Sequence, residues 1–114
     1  MMPMLALVLM INGVQVELPA PAYLIGDYAF VPARAVFEKL GRQVHWDGAA
    51  QTLTVSAEGC AGYVLTVGRS EAVLAGGLLD RSPLVLPAPP RIIGDLLYVP
   101  VRAVALITGA RLAP

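Results

Sequence analysis

The sequence predicts an α+β fold: two short helices separated by about five strands, with a β-hairpin in front of them. Three observations carry this reading. A stretch of 24 residues, Leu18 to Gly41, returns without gaps 68 positions later as Leu86 to Gly109. Each copy contains a Val-Pro-x-Arg run that starts a helix and a glycine that ends it. Between the copies lie short β-rich runs punctuated by turn residues. Thirteen of the 24 aligned positions are identical, where chance in so biased a composition gives roughly two.

The N-terminal hairpin is predicted over residues 4–18. Met4 to Ile11 is apolar and extended-compatible, and Val14, Val16 and Leu18 alternate with Gln15 and Glu17. Asn12-Gly13 between them suits a two-residue turn. Leu18-Pro19-Ala20-Pro21 cannot donate ladder hydrogen bonds at its prolines and is expected to be extended or polyproline-like. Gly26-Asp27 then turns a short hairpin from Tyr23-Leu24-Ile25 into Tyr28-Ala29-Phe30.

Val31-Pro32 opens the first helix, expected from Pro32 to Leu40. The residue before a proline is driven out of the α region, while proline at the first helical position sacrifices no hydrogen bond. Ala33, Val36, Phe37 and Leu40 form its apolar stripe, Arg34 and Glu38 can pair, and Gly41 supplies the C-terminal cap. Val44-His45-Trp46 and Thr52 to Val55 read as strands around the turn Asp47-Gly48-Ala49-Ala50, and Tyr63 to Val67 and Glu71 to Leu74 as two more. The second helix, Pro100 to Thr108 with Gly109 as cap, is apolar all round except at Arg102 and Thr108. Such a helix is expected to be covered on both sides. Val104, Leu106 and Ile107 are therefore candidates for an interface.

Composition narrows the function. The 114 residues fit one domain, and eight basic and eight acidic side chains cancel without clustering, so the charge footprint of a nucleic-acid binder is missing. Hydrophobic residues make up 57% and charged ones 14%, too few to cover a monomer in the usual way, which points to contact with another copy or a neighbouring domain. Residues 1–11 lack a basic segment and a small-residue cleavage site, so no export signal is expected within the chain. No run reaches the roughly 18 apolar residues of a membrane span. Cys60, the single cysteine, lies among glycines and alanines in an expected loop and has no internal disulfide partner.

Taken together, Asn12-Gly13, Phe30-Val31-Pro32-Ala33-Arg34, Gly41, Val44-His45-Trp46-Asp47 and Thr52-Leu53-Thr54-Val55 resemble the copper amine oxidase N-terminal-like domain family. The second copy carries the pattern as Tyr98-Val99-Pro100-Val101-Arg102 and Gly109 and lacks the Trp-Asp strand. Ala33 and Val101 stand where leucine is common in the family. The resemblance implies a two-layer helix, five-stranded antiparallel meander, helix unit, here residues 32–109, within a single domain spanning 1–114. It also implies a non-catalytic, often repeated module of exported or cell-envelope bacterial proteins, so an extracytoplasmic setting is expected.

No enzymatic activity is expected. A copper amine oxidase centre needs several histidines and a tyrosine-derived quinone, whereas the chain has one histidine, His45, so no cofactor or metal is expected. Strand alternation places His45 and Trp46 on opposite faces, with histidine toward solvent and tryptophan in the core. Arg34 and Arg102 are expected to pair with acids such as Asp47, Asp27 or Asp95 and fix the helices on the sheet. Two functions remain: an interaction or scaffold module that self-associates or contacts a neighbouring domain, and a binder of cell-wall glycan or peptide using Trp46 or exposed tyrosines.

Overall fold

The computed structural model describes residues 4–5, 9–11, 13–16, 18–57, 62–74, 84–109 and 112–113. In chain order the elements are β1 (Met4–Leu5), β2 (Leu9–Ile11), β3 (Val14–Val16), β4 (Ala22–Ile25), β5 (Tyr28–Pro32), α1 (Ala33–Lys39), β6 (Gln43–Asp47) and β7 (Thr52–Ser56). There follow β8 (Tyr63–Thr66), β9 (Glu71–Leu74), β10 (Leu84–Val85), β11 (Arg91–Ile93), β12 (Leu96–Pro100), α2 (Val101–Thr108) and β13 (Leu112–Ala113).

The α+β class and the five-stranded antiparallel meander between the helices are as expected, in the order β10-β9-β8-β7-β6. The arrangement differs from a single sheet flanked by two helices. A second five-stranded sheet, β1-β4-β5-β12-β11, is built from the repeated hairpins themselves. Its centre is the β5–β12 pair, with Tyr98 opposite Pro32, Val99 opposite Val31 and Pro100 opposite Phe30. Val31 and Val99 are repeat equivalents, so the copies are related by a local twofold axis through this pair. Sequence periodicity could not reveal this, because strands paired across the axis are remote along the chain.

Each hairpin closes through two residues, with Ile25 opposite Tyr28 and Ile93 opposite Leu96. The third sheet, β13-β2-β3, contains the N-terminal hairpin, in which Ile11 faces Val14 across two residues. The single long first strand expected from Met4 to Ile11 is instead divided: β1 joins β4, while β2 pairs with β3 and β13. Asn12 and Cys60 lie outside the described residues.

Both helices begin one residue later than expected. Pro32 and Pro100 are N-caps, with φ near −60° but extended ψ of 116° and 143°. The reason is tertiary: pairing of β5 with β12 continues through both prolines and holds ψ extended there. The C-terminal ends both follow the glycine rule. Gly41, at φ +77°, lets its own N–H and that of Arg42 reach the carbonyls of Glu38 and Phe37, a two-bond Schellman ending. Gly109, at φ +73°, donates one bond to the Ala105 carbonyl. The Arg42 guanidinium adds a further tie, donating to the Thr108 carbonyl of α2 at 3.1 Å and to the Leu40 carbonyl at 3.4 Å.

Both copies and the meander share a hydrophobic core. Ala33, Val36 and Phe37 of α1 and Ala103 and Val104 of α2 are fully buried with Val31, Val99, Leu53, Val55 and Leu65. Alternation along Thr52–Ser56 sends Leu53 and Val55 inward and leaves the intervening threonines half-exposed, as a sheet packed on one face requires.

Candidate functional site

The structure separates the expected motif residues into framework and surface. Val31, Pro32, Val99 and Pro100 are buried at the twofold axis, and Gly41 and Gly109 end the helices. Asp47 does not pair with an arginine among the described residues; its carboxylate accepts the backbone N–H groups of Ala49 and Ala50 at 3.0 and 3.2 Å. This locks the turn into β7. Arg34 pairs with Glu38 at 3.5 Å on the exposed side of α1, so only the helix-internal pairing expected for it occurs. Among the described residues Arg102 meets no acid, and it lies over the Tyr28 ring, 5.8 Å from its centroid. That contact ties α2 to β5, as intended for the arginine, but through a ring quadrupole.

Three expectations about apolar residues require correction. Val104 is fully buried and belongs to the internal core, so it cannot present an interface. Ile107 is half-buried against that core, and only Leu106, 53% exposed, stands out. α2 contacts β5, β12, β13 and α1 and buries Ala103 and Val104, while Leu106 stays exposed, so the cover expected on both sides does not extend to Leu106. Trp46 is not a core residue. It lies opposite Leu53 and shares its face, but β6 is the outermost strand of the meander, so the indole overhangs the core and is 37% exposed.

Two surface depressions involve these residues. The first, about 340 Å³, lies between α1, the β6–β7 pair and the β11–β12 hairpin. Trp46, Leu53, Ile92 and Leu96 supply apolar walls, and Arg34, Glu38 and Asp95 stand at its polar margin. The second is a shallow apolar trough of Val85, Leu86, Pro87, Ala105 and Leu106 with Arg102 at its edge. Val85 is 69% exposed and sits on β10, the other outer strand of the meander. The tyrosines take no part in the first depression. Tyr23 packs edge-on against Tyr98 at 5.4 Å, and Tyr98 donates its hydroxyl to the Pro21 carbonyl at 2.8 Å. Burial, reinforced by Tyr23, raises the Tyr98 pKa above the ordinary tyrosine value. By sequence, Tyr98 stands only as the first residue of the second motif, and Arg42 and Val85 are not singled out; a basic residue just after a helix-ending glycine is the one signal that could have found Arg42.

Over residues 10–113 the chain matches the copper amine oxidase N-terminal domain family. The chain belongs to this family. No curated protein and no solved structure gives a significant match. Among the described residues no group of three His, Cys, Asp or Glu side chains could hold a metal ion, and His45 is exposed beside no second histidine. The described residues do not fit a copper or quinone centre. No helix among the described residues is long and apolar enough to cross a membrane.

Proposed function

We propose that this domain is a non-catalytic contact module that associates with a second copy or a neighbouring domain through the outer face of α2. The observation that carries this is Leu106. It occupies the position held in the first copy by Glu38, on the same helix face, and is 53% exposed beside Val85, which is more exposed still. Charge at one equivalent position and an exposed leucine at the other supports reading the second face as the one that meets a partner. Burial of a leucine side chain is worth about 1.5–3 kcal/mol. Leu106→Glu is therefore expected to weaken association by about tenfold or more while leaving the protomer's stability within about 0.5 kcal/mol. Sedimentation velocity over a concentration series tests this; a protein that is monomeric throughout, with Leu106→Glu indistinguishable from it, defeats the reading.

The motif resemblance supports placing the module in an exported or cell-envelope bacterial protein, and we propose an extracytoplasmic setting. Recovery of the full-length gene product from the cytosol alone would overturn that assignment. A second reading, binding of cell-wall glycan or peptide, is favoured by one observation: the exposed indole of Trp46 lines a concave site.

A further inference from the structure

We propose that the Trp46 depression binds a short, extended, proline-containing peptide with a basic residue beside the proline. The proposal rests on the second reading above and chooses between its two ligand classes. The walls are mainly hydrocarbon: Leu53, Ile92, Leu96 and Pro32 surround the indole, with Ile92 and Leu96 40% and 44% exposed. A sugar ring placed there would lose hydration at several hydroxyls for very few partners. Proline and aliphatic side chains lose none and gain contact with a flat aromatic surface.

The polar groups select the rest of the ligand. Glu38 is neutralised by Arg34, whereas the Asp95 carboxylate has neither a hydrogen bond nor an ion pair among the described residues. One uncompensated negative charge at the margin therefore suits a lysine or arginine. The Trp46 indole N–H likewise has no acceptor among the described residues, leaving one donor for a peptide carbonyl. Pro19 and Pro32 line the depression and have no N–H, so that wall offers no donors for a strand ladder. A polyproline II segment needs no ladder, presents free carbonyls and is stiff before binding.

Trp46 is the sole tryptophan, so its fluorescence reports this site directly. The intact domain is titrated with an acetylated, amidated octapeptide of prolines and one arginine, with its arginine-to-glutamate twin, and with chitohexaose. The arginine peptide is expected to shift the Trp46 emission saturably at sub-millimolar concentration. The twin should bind about two- to fivefold more weakly, and Asp95→Asn should remove most of that difference. Equal binding of the twins, or a preference that survives in Asp95→Asn, overturns the proposed selectivity. A response to chitohexaose without a response to peptide overturns the peptide while leaving a ligand site. No response to any probe overturns both.

Discussion

Residues 18–41 and 86–109 follow the same backbone path on either side of the Val31–Val99 pair, yet their helices end in different surroundings. In the first copy Arg34 has an acid one turn along, Glu38, and shares its depression with Leu96. In the second, Leu106 replaces the acid, and Tyr28, the equivalent of Leu96, supplies a ring beneath Arg102. The partner of the arginine has thus moved from its own helix to the opposite copy, and the outer helix face has changed from charged to apolar. The inner faces differ as well. Copy one places Phe37 in the core, whereas copy two has the half-buried Ala105 at the same position. One copy thus supplies more of the core, and the other leaves more apolar surface outside.

The largest effect is expected where the first copy fills the core. Phe37→Ala should destabilise the fold by about 3–5 kcal/mol, measured by urea unfolding. A loss under about 1 kcal/mol would show that the copies share the packing more evenly. Next comes the exchange of outer faces. Glu38→Leu removes the Arg34 ion pair, a solvent-exposed contact worth only a few tenths of a kcal/mol, and gives the first helix the second one's surface. Light scattering should then detect association beyond that of the parent protein, whereas no change would separate Leu106 from the proposed contact.

The helix ends offer a finer comparison. Alanine is strained at positive φ, so Gly41→Ala and Gly109→Ala should each cost about 1 kcal/mol. At Gly41 the cap holds two bonds, from its own N–H and that of Arg42; an unchanged unfolding midpoint at either site would contradict the strain. The last comparison separates Phe30 from its equivalent Tyr98. Tyr98→Phe deletes the hydroxyl bonded to Pro21 and should lose about 1 kcal/mol near neutral pH.

The same hydroxyl sets a pH dependence. Its pKa is raised by burial first and by Tyr23 second, so the folded state holds the proton more tightly than the unfolded chain. The associated stability is complete below the unfolded tyrosine value of about 10 and declines as pH rises from there through the raised folded value. Denaturation curves collected above that pH should show a shallower decline for Tyr98→Phe.

Much of the framework is legible in the chain because its signals are local. Proline and glycine mark both helices to within a residue, spacing gives the stripe of Ala33, Val36 and Phe37, and the Asp47 turn and the β8 and β9 runs stand out by composition. The candidate site is less legible. Trp46 reads as a core residue because strand alternation identifies a face but not which strand is outermost. Val104 and Leu106 look equally apolar, and only the side from which neighbouring elements approach α2 distinguishes core from surface.

By itself, then, the sequence determined where the chain turns, where helices start and stop, and that one segment is used twice, since backbone sterics and short-range periodicity act between neighbours. The tertiary structure decided that the two copies pair through Val31 and Val99, that Trp46 overhangs a depression, and that Leu106 remains uncovered. Each of these depends on contacts between residues far apart along the chain, whose geometry is fixed only when the shared core closes.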